Sequence, residues 1–299
     1  MSAMNKLFTT VLTVSLILLT MSVNAQRKYE KHSIATIATP LDVFVYDING
    51  DGVKDILTAD NGNGGELRLY KNNGDKTFSS SAITTGIGTP RSVRAGDIDG
   101  DGDTDIIAAL FTNNMVSWWE NDGTLAFERH DIDANFDGAH TVELCDLDMD
   151  GDMDVLCCEF DNSAAMSDVA WWENDGEQNW TKHVVSSRFQ QATFVFGADM
   201  DNDGDNDLVA SGELNGEIVW WKNDGSMNWT EIIIDNQFSK SHTIVPRDFD
   251  KDGDLDILGH ACTSSLQAWY DNDGAGNFTK NSMETLAGAI WLDQGDFDN

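Results

Sequence analysis

The chain alternates short apolar runs with dense polar segments, and this pattern returns about every fifty residues. One such run, "IIAAL" at 106–110, is short and partly β-branched, which is typical of a strand. An acidic nonapeptide precedes it, and a later apolar run ends in "NDG". Asn-Gly and Asp-Gly pairs favour tight hairpin turns, because these turns need residues that accept positive φ. Each unit is therefore predicted to contain a strand, an acidic loop, a strand, a connection, a strand, a turn and a strand.

The acidic nonapeptide occurs five times, as "DINGDGVKD", "DIDGDGDTD", "DLDMDGDMD", "DMDNDGDND" and "DFDKDGDLD". We call these acidic loops 1 to 5; they cover residues 47–55, 97–105, 146–154, 199–207 and 248–256. A truncated copy, "DFDN", begins at Asp296, and the first aspartates are 50, 49, 53, 49 and 48 residues apart. This period, with several short strands per unit, predicts an all-β propeller of four-stranded blades. Five complete blades should begin near residues 41, 91, 140, 193 and 242, and an incomplete one near 290.

A second motif keeps register with the acidic loops and ends in the predicted turn. Its copies are "LYKNNG" at 69, "WWENDG" at 118 and 171, "WWKNDG" at 220 and "WYDNDG" at 269. Adjacent residues of a strand point to opposite faces of the sheet, so each aromatic pair should place one ring against each neighbouring blade. We expect the tryptophans to form the core between blades rather than a platform that stacks on sugars.

The spacing of the acidic loops predicts calcium binding. Positions 1, 3, 5, 7 and 9 carry oxygen ligands and position 6 is glycine, which resembles the start of an EF-hand loop. Position 12 carries no carboxylate, so position 9 should complete the shell. We expect about five Ca²⁺ ions, held by the side chains at positions 1, 3, 5 and 9 and the carbonyl at position 7. Loop 1 should be the weakest site, because Asn49 replaces a carboxylate and Lys54 adds a positive charge.

The predicted ligand residues are Asp47, Asn49, Asp51, Val53 and Asp55 in loop 1; Asp97, Asp99, Asp101, Asp103 and Asp105 in loop 2; Asp146, Asp148, Asp150, Asp152 and Asp154 in loop 3; Asp199, Asp201, Asp203, Asp205 and Asp207 in loop 4; and Asp248, Asp250, Asp252, Asp254 and Asp256 in loop 5.

These motifs together resemble the FG-GAP/VCBS type of repeat, which is related to the calcium-binding blades of integrin α subunits and common in secreted bacterial proteins. The resemblance covers roughly residues 29–298 and implies a calcium-binding β-propeller. The literal Phe-Gly pair survives only at Phe196-Gly197. The resemblance is therefore to the VCBS-like branch, and integrin-style ligand binding is not carried over.

The first 25 residues read as a signal peptide. Lys6 precedes the apolar segment 7–23, and Val23-Asn24-Ala25 fits the small-residue rule for cleavage. A membrane anchor is the competing interpretation, but the segment is short and lacks a basic flank. We expect export to the periplasm, cell surface or medium, with residues 26–299 forming the propeller and no membrane insertion after cleavage. Millimolar calcium outside the cytosol suits loops with weak affinity.

The two ends of the chain predict a ring that this chain does not close. "YEKHSIAT" at Tyr29 matches the outer strands that begin at Phe127 and Trp180, so it lacks a blade of its own. "AIWLDQGDFDN" near the other end supplies an inner strand and half an acidic loop. We expect a piece of a longer protein with six or seven blades, and exposed edges at the seam.

The net charge of −34 excludes some partners. Of 52 acidic residues, 23 lie in the acidic loops, three in the first and five in each of the others. The remaining excess still disfavours nucleic acid, whose recognition depends on neutralising phosphates, and anionic membranes.

Four cysteines in an exported chain raise the question of disulfides. Cys145 and Cys157 occupy positions where other repeats carry small residues, which argues for packing within crowded strands. A bridge from Cys145 to Cys157 or Cys158, across the hairpin that holds loop 3, stays open.

A ligand site is expected on the face opposite the acidic loops. Six residues before each loop, that face should present Leu41, Arg91, His140, Thr193, His242 and Ile290. Arg91, His140 and His242 combine a cation with titratable groups; they are either variable rim residues or a site for a sugar or carboxylate. We therefore expect a non-enzymatic binding, adhesion or scaffold module for a glycan or cell-surface protein. The alternative is a polysaccharide lyase or hydrolase that uses these histidines as acid and base.

Overall fold

The computed structural model describes residues 33–37, 39–160, 166–261 and 266–283. The chain divides into two units, residues 1–36 and 37–299. In the first unit, the described residues 33–36 have no regular secondary structure. All the strands described below belong to the second unit.

The second unit contains five four-stranded antiparallel sheets, each formed by four strands in chain order. The strands are β1 Pro40–Tyr46, β2 Asp55–Asp60, β3 Glu66–Asn72 and β4 Phe78–Thr85; β5 Pro90–Gly96, β6 Asp105–Leu110, β7 Met115–Asn121 and β8 Phe127–Asp133; β9 Ala139–Cys145, β10 Asp154–Glu159, β11 Met166–Asn174 and β12 Trp180–Gln190; β13 Ala192–Ala198, β14 Asp207–Gly212, β15 Glu217–Asn223 and β16 Trp229–Asp235; and β17 Ser241–Arg247, β18 Asp256–Ala261, β19 Leu266–Asn272 and β20 Phe278–Ser282.

The predicted order of elements is confirmed in every sheet. Each first strand begins one residue before the expected position, each acidic loop joins the first and second strands, and each Asn-Asp-Gly or Asn-Asn-Gly turn joins the third and fourth. The described residues hold two short 3₁₀ turns, Gly62–Gly64 and Phe111–Asn113, and no α-helix. Within these ranges, no helix is long and apolar enough to cross a membrane.

The core lies between consecutive sheets and forms four apolar clusters. Strand alternation sends Trp119 to the cluster between the first and second sheets and Trp118 to the cluster between the second and third. The tryptophan pairs of β11 and β15 divide in the same way, and all six rings are buried. These pairs are core, as predicted. Trp269 of the fifth sheet is only half-buried.

The cysteines pack as small residues. Cys145, Cys157 and Cys158 are free thiols among the described residues, so no bridge joins Cys145 to either of the others. Cys145 packs directly against the Phe-Gly pair of β13, because a Cβ added to Gly197 would lie 2.7 Å from the Cys145 sulfur. Only glycine leaves room for this contact between the third and fourth sheets.

The inner strands surround a cavity of about 550 Å³. Its lining draws on the first strand of every sheet, including Phe44, Arg94, Glu143, Phe196 and Val245. The predicted signal peptide, Cys262, Ile290 and the truncated loop at Asp296 lie outside the described residues. So do residues 29–32 of the predicted outer strand, and its described part, residues 33–36, is not a strand.

Candidate metal centres and ligand site

Each acidic loop turns at its position-6 glycine. Gly102 has φ of +95°, a conformation that disfavours any residue with a Cβ. Its N–H donates to the position-1 carboxylate, Asp97 Oδ2, at 3.1 Å. The same glycine-to-aspartate bond occurs in the other four loops, at 2.8 to 3.2 Å. Backbone donors therefore hold the first carboxylate over the loop.

The position-9 aspartate ties each loop to the turn of the same sheet. In loop 2, Asp105 is fully buried; its Oδ2 accepts from Ile98 N–H at 2.9 Å and its Oδ1 from Asn121 N–H at 2.8 Å. Asn121 is the asparagine of the "NDG" turn, and its side chain donates to the Thr104 carbonyl at 3.0 Å. Equivalent bonds recur in all five sheets. Sequence reasoning assigned this residue to the metal alone and missed its second role.

Burial raises the pKa of this carboxyl group in loops 2, 3 and 4. The pKa of Asp105 and of Asp154 is raised to about 7 by desolvation, although the backbone N–H bonds oppose the shift and the nearby loop aspartates add to it. A buried carboxylate costs free energy unless a positive charge or donors compensate it. Each loop therefore concentrates anionic oxygen where a cation would relieve the cost.

Four loops bring three carboxylates to within 4.8 Å of one another. In loops 2 and 4 these are positions 1, 3 and 5, and in loops 3 and 5 they are positions 1, 3 and 9. Three loop oxygens are buried without a hydrogen-bond partner in the part of the chain that the structure describes: Oδ1 of Asp146, Asp201 and Asp248. Orphaned anionic oxygens in such a cluster fit a hard cation such as Ca²⁺.

Position 7 is predicted to offer its carbonyl to the ion, which would leave its side chain free to point outward. The carboxylate instead lies over the turn glycine of the same sheet: a Cβ on Gly123 would lie 2.5 Å from Asp103 Oδ2. Loops 3, 4 and 5 repeat this packing on their own turn glycines. The turn glycines have positive φ, which already favours a residue without a Cβ, and the position-7 aspartate packs into the space that this leaves.

Loop 1 differs from the others in its side-chain contacts. The Asn49 amide donates to Asp51 Oδ2 at 3.0 Å, which uses one oxygen of the position-5 carboxylate. Lys54 places its ammonium 4.9 Å from the centre of the Tyr46 ring, at the loop's edge.

The structure brings Arg91, His140 and His242 together away from the acidic loops. The His140 and His242 rings lie 6.1 Å apart, and the Arg91 charge acts on both. Burial, helped by the charges of Arg91 and His242, holds the pKa of His140 well below its usual range. His140 is therefore neutral at physiological pH.

The tautomer of His140 follows from its contact with Thr193. Its Nδ1 lies 3.0 Å from the Thr193 carbonyl oxygen, which can only accept, so Nδ1 carries the proton and Nε2 is an acceptor. His140 Nε2 is buried and has no hydrogen-bond partner among the described residues. Arg91 Nε, a donor, is likewise buried without one. The site thus holds one unused acceptor and one unused donor.

Aromatic rings hold both groups in place. His140 stacks on Phe160 with ring centres 5.0 Å apart, and the Arg91 guanidinium lies 5.2 Å from the centre of Phe111. Glu213 partly offsets the lowering of the His242 pKa that burial causes, and it pairs with Lys240 at 2.8 Å.

Sequence reasoning missed Phe111, Phe160 and Glu213, although a repeat signal marks them. Each lies 14 residues after the first aspartate of its loop, at the end of the second strand. Each also donates its backbone N–H across the sheet, to the carbonyls of Thr89, Gly138 and Gln191. Of the other predicted face residues, Leu41 lines the central cavity and Thr193 binds His140 through its carbonyl.

Comparison with known families agrees with this geometry. The model of the FG-GAP-like repeat matches residues 47–108, 97–157 and 199–259, more than half of the chain. The chain belongs to the FG-GAP-like repeat family. Each matched stretch runs from one acidic loop into the second strand of a sheet, so the family signal rests on the loops described above. No curated protein matches the chain.

Solved structures similar to this FG-GAP-like protein share its fold. A lectin from Agrocybe aegerita, described in recognition of non-reducing terminal N-acetylglucosamine, is 23% identical with a TM-score of 0.57; the match covers 80% of this chain and 65% of the lectin's. A chain of a nidogen/laminin complex is 8% identical with a TM-score of 0.55; the match covers 78% of this chain and 75% of that chain. A protein from Lactobacillus plantarum is 13% identical with a TM-score of 0.56; the match covers 85% of this chain and 73% of that protein's chain.

Proposed function

We propose that this FG-GAP-like protein is an exported, calcium-stabilised binding module that recognises a glycan at the cluster of Arg91, His140 and His242. FG-GAP-like repeats are typical of extracellular proteins, which supports export. The acidic loops would hold Ca²⁺ through the carboxylates at positions 1, 3, 5 and 9. The ion would neutralise the loop, and the ligand would bind elsewhere.

The unused hydrogen-bonding groups at the cluster carry this proposal. A sugar hydroxyl donates one hydrogen bond and accepts others, so one such group can satisfy His140 Nε2 and another Arg91 Nε. A carboxylate would satisfy Arg91 but would meet the His140 acceptor with a second acceptor. The rings of Phe111 and Phe160 add apolar surface of the kind that small-ligand sites use.

The similar structures support a binding role at the level of the fold. One describes a lectin that recognises a terminal sugar, and another a complex between two extracellular proteins. A protein ligand is therefore the second candidate.

A glycan array probed with the calcium-loaded protein tests the proposal. We expect binding to neutral glycans, and a loss of at least tenfold in affinity for His140→Phe, which keeps a ring but removes the acceptor. His130→Gln, which alters a partly exposed histidine paired with Glu120, is the matched control and should bind like wild type. Absence of any glycan ligand would contradict the proposal, and cleaved products recovered from the array sugars would favour the lyase or hydrolase instead.

A further inference from the structure

One acidic loop already contacts a cation of its own chain. The Lys222 ammonium, on β15, contacts Asp201 Oδ2 and lies 3.0 Å from Asp203 Oδ2. These aspartates are positions 3 and 5 of loop 4, two of its predicted calcium ligands. The Asp201 side chain is only 9% exposed, whereas the Lys222 and Asp203 side chains are 35% and 34% exposed, so the contact is shielded from water on the Asp201 side alone.

The contact accompanies a change in hydrogen bonding within loop 4. In loops 2, 3 and 5 the position-5 N–H donates to the position-3 carboxylate, at 3.2 Å. In loop 4 the Asp203 N–H donates instead to Asp199 Oδ1, at 3.2 Å; loop 1 makes the equivalent bond but also keeps the one to position 3. The position-3 carboxylate, Asp201, has its Oδ2 on the Lys222 ammonium.

The same strand position carries the opposite charge in neighbouring sheets. It is Glu120 in the second sheet and Glu173 in the third, and each pairs with a histidine of the next strand, at 2.8 and 2.7 Å. These glutamates add negative charge near Asp99 and Asp148. In the first sheet the position is Lys71, which has no ion-pair partner in the part of the chain that the structure describes.

We infer that Lys222 serves as a built-in substitute for calcium in loop 4, so that this loop is stabilised without an ion and binds calcium far more weakly than loops 2 and 3. An ion entering loop 4 must displace the ammonium from two of its ligands, whereas Glu120 and Glu173 add attraction for an ion in loops 2 and 3. This inference rests on the proposed calcium binding. It replaces the expectation of about five ions, with loop 1 the weakest site, by four ions and one site that the ammonium occupies.

Calcium titration of the full chain by isothermal calorimetry and equilibrium dialysis tests the inference. At a calcium concentration that saturates loops 2 and 3, Lys222→Gln should bind one ion more than wild type, with affinity at that site raised at least tenfold. Lys71→Gln is the matched control, because it removes the same charge from the same strand position of another sheet. It should leave the number of ions unchanged.

Thermal unfolding in excess EGTA provides a second readout that needs no bound ion. Lys222→Gln should lower the Tm in EGTA more than Lys71→Gln does, because it leaves Asp201 and Asp203 uncompensated, and calcium should then raise its Tm more than it raises that of wild type. Equal ion numbers, equal affinities and equal Tm in EGTA for wild type and Lys222→Gln would overturn the inference. If no variant bound calcium at all, the proposed calcium binding would fail, while a lower Tm of Lys222→Gln in EGTA would still show that the ammonium stabilises the loop.

Discussion

Individual aspartates within one loop differ in what they stabilise. Asp105 is buried and accepts two backbone N–H bonds, whereas Asp101 is exposed and accepts one, from Asp103 at 2.8 Å. The first holds the loop to the sheet without needing an ion, and the second is exposed to solvent and is a predicted calcium ligand. Substitution at the two positions should therefore separate folding from metal binding.

Asp105→Ala should destabilise the protein even in EGTA, by at least about 2 kcal/mol, because two buried N–H groups lose their acceptor. Asp101→Ala should cost less than about 0.5 kcal/mol in EGTA, as exposed substitutions usually do. It should nevertheless remove one bound ion and leave the others. Urea unfolding in EGTA, together with equilibrium dialysis in calcium, measures both effects. Equal destabilisation by the two variants in EGTA would contradict this division of roles.

His140 makes stability depend on pH in a defined direction. Its pKa is well below the usual value in the folded state, so the unfolded state binds more protons and stability falls as the pH drops below about 6.5. Between pH 7.5 and 5.5 this single group should account for a loss of roughly 1 kcal/mol. The destabilisation caused by His140→Gln, measured by urea unfolding in saturating calcium, should therefore be smaller at pH 5.5 than at pH 7.5. A pH-independent difference between the two proteins would show that His140 is not buried in its neutral form.

Among the elements, the inner strands of three sheets share one buried arginine. Arg94 of β5 contacts Asp42 of β1 at 2.8 Å and Glu143 of β9 at 2.5 Å, and all three side chains are almost fully buried. Asp42 also accepts from Val93 N–H at 3.0 Å. Apolar clusters hold the faces of the sheets together, and this network fixes the inner strands next to the central cavity.

Arg94→Met should destabilise the protein by about 3–5 kcal/mol, because it leaves two buried carboxylates without their cation. Arg129→Met removes a partly exposed pair with Asp131 and should cost at most about 1 kcal/mol. Urea unfolding in saturating calcium compares the two variants. If Arg94→Met does not fold, Arg94→Lys keeps the charge and should recover part of the stability. Equal, small losses for both methionine variants would mean that the network contributes little.

At the scale of the whole molecule, we expect charge to couple stability to calcium. The net charge is −34, and the loops concentrate carboxylates that repel one another without a cation. Binding to the folded state at ten times Kd stabilises by roughly 1.4 kcal/mol per independent site. For the four loops that lack their own ammonium, chelation should lower the Tm by on the order of 10–20 °C.

Differential scanning calorimetry with and without excess EGTA measures this shift. Magnesium is the matched control ion, because it demands tighter octahedral geometry and loses its water reluctantly, so it should restore little of the lost Tm. A melting curve that EGTA leaves unchanged would contradict the coupling between calcium and stability.

The sequence by itself determined the blades, the acidic loops and the turns. Their bonds join residues that are close in the chain, such as Gly102 with Asp97 and Asn121 with Asp105, so residue types at set spacings specify them. Register also placed Arg91, His140 and His242 on one face, because equivalent positions of successive repeats meet around a common axis. The same spacing predicts that the loops bind calcium.

Tertiary structure alone decided the contacts between long or charged side chains of different sheets. Arg94 reaches Asp42 and Glu143 across about fifty residues, and no repeat position marks these three as partners. The Thr193 carbonyl sets the His140 tautomer from the neighbouring sheet, and the Lys222 ammonium contacts loop 4 from a strand position that carries glutamate in the second and third sheets. A repeat specifies where a residue lies along its strand. Which charge or ring its side chain meets depends on the distance and angle between packed sheets, and periodicity carries no information about either.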